Sequence, residues 1–268
     1  MTSTPLDDVA FLARSDHRVE VLRTLASGAR SRPELHAETG VPQPTLGRVL
    51  GSFEDRNWVV RRNGEYALTA VGTLVAETFE DLLDAVETVQ RLGDVLVQLP
   101  TDEMDFDVRA FADATVWEPE PGDTLSHIRR MEERWLDADE TRLLGGTLGP
   151  ASFERRRDAA QAFVDREKRT ETVVSTAVMD RGLSDPELNR TVRDHWDPER
   201  MVGYLYDGPI PLVLAIADGT AMLAPTDENG IPTAVIVTEN ETVRAWVDAR
   251  IDEYRERATE LTVDDLPP

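Results

Sequence analysis

The chain has 268 residues and a formal net charge of −23, from 52 acidic and 29 basic side chains. This length is sufficient for two domains that each have a hydrophobic core. Because the sequence has no cysteine, it excludes disulfides, a thiolate nucleophile and a zinc–thiolate site. It shows neither a leader-peptide pattern nor an apolar run of membrane-spanning length, so we expect a cytoplasmic protein with no membrane partner.

The basic residues are unusual in kind and in distribution. Lys168 is the single lysine, so 28 of the 29 basic residues are arginine. Lysine depletion with an excess of carboxylates is typical of cytosolic proteins of halophiles. Residues 1–70 hold nine basic and nine acidic side chains, whereas residues 71–268 hold 20 basic and 43 acidic ones. The N-terminal segment is therefore neutral within an acidic chain, which makes it relatively attractive to DNA.

Three helices are predicted at the N-terminus, over residues 7–26, 32–39 and 44–53. Gly40 separates the second from the third, at a point where the chain must reverse and where glycine adopts a positive φ without steric cost. Pro44 is tolerated in a first helical turn, so the third helix should begin near it. The apolar residues of the third helix recur at helical spacing and predict one buried face: Leu46, Val49, Leu50 and Phe53.

The opposite face of the third helix carries short or planar polar side chains that suit contacts with base edges and phosphates. Thr45, Arg48 and Ser52 lie on this face, and Gln43 precedes it at the helix start. Arg48 is the best candidate for a bidentate contact to guanine. The start of such a helix is the end that usually enters the major groove of double-stranded DNA.

A β-hairpin is predicted directly after the helix pair. Asn63-Gly64 is the strongest short-range signal for a type I′ turn, and strand-forming residues flank it on both sides. Arg61 and Arg62 precede the turn, at a position where phosphates or a minor groove would be met. The alternative is that these arginines are merely solvated and that the helix pair binds protein, as in an interaction or scaffold module.

A long linker helix is predicted over residues 69–98, and Pro100 then begins a hinge. Its apolar residues alternate by four and three positions, which is a heptad-like seam: Val75, Phe79, Leu82, Val86, Val89, Gly93 and Leu96. We interpret this seam as a homodimerisation surface, because a two-fold dimer would match a symmetric DNA site. A helix packed on its own domain is the alternative.

The second half of the chain alternates between strand and helix patterns. Strands are predicted over residues 141–144, 172–178, 202–206, 212–217, 221–224 and 234–237, and helices over residues 124–136, 150–167, 185–195 and 241–260. Helices separate the early strands, which favours parallel pairing, whereas the closely spaced later strands favour antiparallel hairpins. The fold class is therefore α+β or α/β, with an N-terminal domain (1–70), a linker helix (71–100) and a mixed α/β domain (101–268).

A glycine-rich turn follows the first strand of the α/β domain. Gly145, Gly146 and Thr147 end this strand just before a helix start, where backbone N–H groups could hold an anionic or polar metabolite. Arg142 and Arg155 are the arginines nearest in sequence. The turn matches neither the P-loop nor the dinucleotide-binding pattern, and a plain tight connection is the alternative reading of the same residues.

Neither a catalytic constellation nor a metal site is recognisable in the sequence. The four histidines show no metal-ligand spacing, and no Gly-x-Ser-x-Gly nucleophile elbow is present. We expect His36 to be structural and His127 to be exposed on a polar helix. The sequence therefore predicts a protein that is not an enzyme and that needs no cofactor.

The N-terminal pattern resembles the winged helix-turn-helix of archaeal regulators. The matching positions are Leu35, Gly40, Thr45, Leu46, Arg48 and Leu50, followed by Tyr66-Ala67-Leu68-Thr69-x-x-Gly72; Thr39 departs from the leucine usual at its position. The whole chain is similar to a haloarchaeal two-domain group whose C-terminal domain is like that of the methanogenesis and filamentation regulator. The resemblance implies a DNA-binding transcription regulator that responds to a small-molecule or protein signal through its second half.

Overall fold

The computed structural model describes residues 4–145, 168–176, 190, 193–194 and 197–265. Contacts within the chain divide it into two compact units, Met1–Val86 and Glu87–Pro268. The first unit is mainly helical with a small sheet, and the second is built on a large mixed sheet. This architecture confirms the predicted α+β class. None of the described helices is both long enough and apolar enough to cross a membrane.

The first unit has the predicted helix pair and hairpin. Its elements in chain order are α1 (Pro5–Ala13), α2 (Asp16–Ala26), β1 (Arg30–Ser31), α3 (Arg32–Thr39), α4 (Gln43–Asp55), β2 (Val59–Arg62), β3 (Glu65–Leu68) and most of α5 (Ala70–Leu92), which continues beyond Val86. Strands β2 and β3 form an antiparallel hairpin, and β1 pairs with the other edge of β3. The sequence did not predict β1, because two residues are too few to show strand periodicity.

The predicted single helix over residues 7–26 is wrong, since the structure has two helices there. Helix α1 begins with a capping box in which the Thr4 hydroxyl accepts from the Asp7 N–H and the Asp7 carboxylate accepts from the Thr4 N–H. Ser15 is extended (φ −157°, ψ 107°) and begins α2. The physical reason is local: Ser15 holds the N-cap position without a side-chain cap hydrogen bond, and the acidic Asp16 in the first turn favours a helix start there.

The core of the first unit contains the predicted apolar face of α4. Leu46 and Phe53 are completely buried, and Val49 and Leu50 are at most 5% exposed. The ring of Phe53 contacts Phe11 of α1 at a centroid distance of 6.1 Å and Trp58 at 5.8 Å. This packing fixes the rotation of α4 about its axis, so the opposite face is directed to solvent.

The predicted linker helix ends earlier than the sequence indicated. Gly93 adopts a positive φ of 52° and separates α5 from the short α6 (Asp94–Val97). The heptad-like seam is also divided, because Val75 and Phe79 pack into the core of the first unit and Leu96 packs against that of the second. The middle of the seam stays in solvent, with Leu82 46%, Val86 44% and Val89 45% exposed.

The second unit contains an eight-stranded mixed sheet. Its elements after α6 are a 3₁₀ turn (Val108–Phe111), β4 (Thr115–Trp117), α7 (Ser126–Asp137), β5 (Glu140–Gly145), β6 (Arg169–Ser175), β7 (Met201–Tyr206), β8 (Leu212–Ala217), β9 (Thr220–Pro225), β10 (Val235–Thr238), α8 (Glu241–Glu256), β11 (Thr259–Leu261) and a second 3₁₀ turn (Val263–Asp265). The strand order is β11-β7-β6-β5-β8-β9-β10-β4. The predicted helix over residues 150–167 lies outside the described residues, as does most of that over residues 185–195.

The pairing of the strands agrees with the prediction. Strands β5, β6 and β7 are parallel to one another, whereas β8, β9 and β10 are joined as antiparallel neighbours. Parallel neighbours need long crossover connections, and the closely spaced later strands need only tight turns. The carboxyl ends of β5, β6 and β7 consequently lie at the same edge of the sheet.

Two helices cover opposite faces of this sheet. On one face Leu144 and Val173 belong to a core with Val247 and Ile251 of α8. On the other face Leu143 packs in a smaller core that includes Met131 of α7. Alternate residues of β5 therefore face different helices, because side chains alternate along a strand.

Candidate nucleic-acid interface

The turn between α3 and α4 is closed by local hydrogen bonds. Gly40 has φ +68°, as predicted for the reversal. The Thr39 hydroxyl donates to the Leu35 carbonyl at 2.5 Å and accepts from the Val41 N–H at 3.2 Å. His36 Nδ1 lies 2.8 Å from the Val41 carbonyl oxygen, which gives this histidine the expected structural role. Thr39 thus closes the turn between α3 and α4 through its hydroxyl.

The outer face of α4 presents one long cationic side chain among small ones. Arg48 is exposed, and it takes part in none of the ion pairs found in the described part of the chain. Its helical neighbours three and four positions away are all short: Pro44, Thr45, Gly51 and Ser52. A helix surface of this shape lets the backbone approach another molecule closely while the guanidinium extends ahead of it.

Two of the predicted DNA-contacting side chains have partners within the chain. Gln43 Nε2 donates to the Arg32 carbonyl at a long 3.4 Å, and the Ser52 hydroxyl donates to the Arg48 carbonyl at 2.9 Å. Gln43, Thr45 and Ser52 are all half-buried. Each partner is a backbone carbonyl of the first unit, so these side chains would have to rotate before they could donate to DNA.

The predicted hairpin is present, and its turn has the backbone geometry that Asn63-Gly64 predicted. Asn63 (φ 52°) and Gly64 (φ 89°) both have positive φ, as a type I′ turn requires. Arg62 lies opposite Glu65 in the register of the two strands, and its side chain is exposed. The guanidinium of Arg61, also exposed, lies 5.4 Å from the centroid of the Tyr66 ring. Both arginines are therefore presented to solvent beside the turn.

Arg32, which no pattern in the sequence indicated, lies at the start of α4. Its guanidinium donates through Nη2 to the Gln43 carbonyl. The Ser31 hydroxyl accepts from the Glu34 N–H and fixes the helix start at which Arg32 lies, and the same pair lowers the pKa of the Glu34 carboxyl. The capping pattern Ser-x-x-Glu was visible in the sequence, but the direction of the arginine was not.

Of the residues predicted for a ligand site in the second unit, the structure describes Arg142 and Gly145. Gly145 ends β5, and a Cβ there would meet none of the described atoms within 4 Å. Gly146, Thr147 and Arg155 lie outside the described residues. Arg142 shares its face of β5 with Leu144, whereas Gly145 lies on the opposite face.

Arg142 is engaged by three carboxylates. It donates to Glu171 from Nε at 3.1 Å, to Asp248 from Nη1 at 2.7 Å and to Asp252 from Nη2 at 2.6 Å. Burial disfavours the charged form, but these hydrogen bonds outweigh it and raise the pKa of Arg142. The side chain links β5 and β6 to α8, so in this structure its hydrogen-bonding capacity is used inside the fold.

His127 is not exposed, in contrast to the expectation from its polar helix. It is 1% exposed, and its Nε2 lies 2.8 Å from the Pro232 carbonyl oxygen. The contact spans 105 positions of sequence, so helical periodicity around His127 could not indicate it. Within the described ranges, the acidic residues and histidines form no cluster that could hold a metal ion.

Two family models match the chain in succession. Residues 6–91 match the HVO_A0261 N-terminal domain, and residues 127–257 match the middle domain of the methanogenesis regulatory protein FilR1. The first match contains the helix pair and the hairpin, and the second contains most of the mixed sheet. No curated protein sequence matches the chain.

Several solved structures are similar over part or all of the chain. TrmBL2, an archaeal chromatin protein, is 18% identical and covers 96% of this chain and 100% of its own, with a TM-score of 0.42. The repressor BigR from Xylella fastidiosa is 28% identical over 31% of this chain and 86% of its own (TM-score 0.27), and MepR from Staphylococcus aureus is 17% identical over 35% and 73% (TM-score 0.29). These scores are too low to carry a functional argument. The two family models, matched in order along one chain, show that the protein joins an HVO_A0261 N-terminal domain to a FilR1 middle domain.

Proposed function

We propose that the protein is a transcription regulator that binds double-stranded DNA through α4 and the β2–β3 hairpin. The observation that carries the proposal is the exposed Arg48 guanidinium, which has no ion-pair partner in the described part of the chain and is surrounded by short side chains. In a chain with 52 acidic residues, an arginine without a carboxylate partner is available for an external anion or base.

The geometry supports insertion of α4 into a major groove. An α-helix fits the width of that groove, and Arg48 can donate two parallel hydrogen bonds to guanine O6 and N7. Thr45 and Ser52 lie one turn before and after it on the same side, so their hydroxyls can reach neighbouring bases or phosphates. Arg61 and Arg62 would contact the DNA backbone or a minor groove beside the turn of the hairpin.

The charge distribution supports binding that relies on direct contacts. The first 70 residues are neutral, whereas the rest of the chain carries the whole net charge of −23. At high ionic strength the release of counterions contributes little to affinity. Hydrogen bonds to bases and fit to the groove would then provide a larger share of the binding free energy.

We further propose that the protein acts as a homodimer through α5. Leu82, Val86 and Val89 follow one another at helical spacing and are each more than 40% exposed. Exposed aliphatic side chains in a continuous stripe favour burial against a second copy, and a two-fold dimer would match a palindromic operator. The half-sites should lie about 10 base pairs apart or at a multiple of that distance.

The second unit is proposed to sense an anionic or polar metabolite at the carboxyl ends of β5, β6 and β7. Ligands of open α/β sheets bind at this end of the strands. Gly145 lies there, and so does Tyr206, whose hydroxyl accepts from Arg257 at 2.9 Å. A thermal-shift screen of central metabolites at high salt tests this, and a hit should disappear in Gly146→Val, because a β-branched side chain blocks close approach.

Sequencing the DNA that co-purifies with the tagged protein would identify operators, and a mobility-shift titration would then test the interface. We expect Arg48→Ala to weaken operator binding by about 1–3 kcal/mol with folding unchanged. Arg23→Ala is the matched control, because it removes the same charge from a guanidinium already paired with Glu80. Equal affinity of Arg48→Ala and the wild type at matched salt would disprove the role of α4.

A further inference from the structure

The guanidinium of Arg32 lies across the first turn of α4. Its Nη2 donates to the Gln43 carbonyl oxygen, and the Gln43 side-chain amide donates back to the Arg32 carbonyl at 3.4 Å. This reciprocal pair connects the first residue of α3 to the first residue of α4. The arginine as a whole is half-buried, and it lies at the start of the helix that we propose to enter DNA.

Gly47 leaves the space that the Arg32 guanidinium occupies. A Cβ at position 47 would lie 2.8 Å from Arg32 Nη2, which is closer than real Cβ contacts allow, and 3.4 Å from Cζ. Glycine is among the least favourable residues in a helix interior, so its presence in α4 needs a reason. Gly51, one turn later, offers a contrast, because a Cβ there would meet nothing within 4 Å.

The positive charge of Arg32 is not compensated by a carboxylate. Among the ion pairs of the described residues, Arg30 is paired with Glu38 and Arg56 with Asp8, whereas Arg32 has no such partner. Its one hydrogen-bond acceptor is a neutral carbonyl, and its Nε is buried without an acceptor. Helix α4 also begins without a side-chain cap, since Pro42 occupies the N-cap position. A fixed cation therefore lies beside the positive end of the helix dipole.

We propose that Arg32 is a phosphate-binding residue of the DNA interface. Gly47 allows the guanidinium to take this position, because a side chain at position 47 would occupy the same space. Arg32 keeps one N–H on the Gln43 carbonyl and donates another to a backbone phosphate at the edge of the groove that α4 enters. This contact sets the depth of α4 in the groove and has no base preference. The inference rests on the proposed DNA-binding function, and it assigns Gly47 a role in positioning a side chain of a different helix.

The test measures operator affinity for Gly47→Ala in the full chain and compares its melting temperature with that of Gly51→Ala. Both add one methyl group to the same helix, but the methyl group at position 47 displaces the flexible end of Arg32. We expect Gly47→Ala to keep or raise the melting temperature and to weaken operator binding about tenfold. The slope of log affinity against log salt concentration should fall by about 1, which corresponds to the loss of one phosphate contact. Arg23→Gln is the charge control, because Arg23 is paired with Glu80 outside the proposed interface, and it should leave affinity and slope close to those of the wild type.

Two further variants strengthen the comparison. Arg32→Gln should reproduce the affinity loss and the reduced salt slope, and the double variant Arg32→Gln/Gly47→Ala should lose no more than Arg32→Gln alone, because both changes remove one contact. The inference is overturned if Gly47→Ala weakens binding without reducing the salt slope, or if the salt slope of Arg32→Gln is unchanged. If Gly47→Ala and Arg32→Gln both bind like the wild type, the inference fails while DNA binding stands. A wild-type protein that binds no DNA would overturn the proposed function itself.

Discussion

The carbonyl oxygen of Trp58 occupies the place where a side chain at position 72 would begin. A Cβ on Gly72 would lie 1.9 Å from this oxygen and 2.7 Å from the carbonyl carbon. The same carbonyl accepts the Thr69 N–H at 2.9 Å, and the Thr69 hydroxyl accepts the Gly72 N–H at 3.0 Å. The Thr69-x-x-Gly72 segment of the first unit therefore makes a close contact between the start of α5 and the residue before β2.

Gly72→Ala should destabilise the first unit strongly. The atom that a methyl group would meet belongs to the backbone and cannot rotate away, so α5 must shift and lose its contacts with Trp58. We expect a loss of about 3 kcal/mol in the free energy of unfolding, measured by urea denaturation. Gly51→Ala is the control and should stabilise by up to about 1 kcal/mol, because its Cβ meets open space. Equal stability of Gly72→Ala and the wild type would contradict the geometry.

The capping box of α3 should make stability depend on pH. The hydrogen bond with Ser31 lowers the pKa of Glu34, so the contribution of this carboxylate is present above its unfolded pKa of about 4.3 and is lost as the pH falls through the lower folded value. Ser31→Ala should therefore destabilise more at pH 6 than at pH 3.5 in parallel urea titrations. Glu34→Gln removes the titrating group, and in that background the effect of Ser31→Ala should not change with pH. A pH-independent effect of Ser31→Ala in the wild-type background would argue against the coupling.

The exposed stripe on α5 should mediate self-association. We expect light scattering at micromolar concentration in high potassium chloride to give twice the chain mass for the wild type. Val86→Asp should give the monomer mass with an unchanged circular-dichroism spectrum, because a carboxylate in an apolar interface loses its hydration. Val97→Asp is the control, since Val97 is 84% exposed but lies on α6. A wild-type monomer, or a dimer that tolerates Val86→Asp, would exclude this surface.

Arg142 should act as a structural link between the sheet and α8. Its side chain is 22% exposed and contacts Glu171, Asp248 and Asp252, so Arg142→Gln leaves three carboxylates close together without a cation. We expect a loss of about 2 kcal/mol, which is below the range for fully buried pairs because solvent screens part of the charge. Arg142→Lys should restore little, since an ammonium group cannot form the same planar set of hydrogen bonds. If urea denaturation shows that Arg142→Gln has the stability of the wild type, Arg142 is not a structural link, and its side chain would be available for a ligand.

Local patterns in the sequence were sufficient to predict several parts of the fold. The apolar spacing of Leu46, Val49 and Phe53 predicted which face of α4 is buried, because a helix repeats its faces every 3.6 residues. Asn63-Gly64 predicted the hairpin turn, because few residue pairs adopt two positive φ angles in succession. Arg48 could be placed on the solvent face of α4 for the same reason as Phe53 could be placed in the core.

Other properties of the protein were decided by contacts between residues far apart in sequence. Arg142 meets Asp248 and Asp252 because α8 packs on the face of β5 that carries it, and His127 is buried because the Pro232 carbonyl lies against it. Such contacts leave no periodic signal and no motif at either end. The sequence by itself determined the helix pair, the hairpin and the alternation of strands and helices, since propensity, periodicity and turn chemistry act over a few residues. The tertiary structure decided which polar side chains form hydrogen bonds within the protein and which, like Arg48, remain available for a partner. The outcome for each side chain depends on the element against which its own element packs.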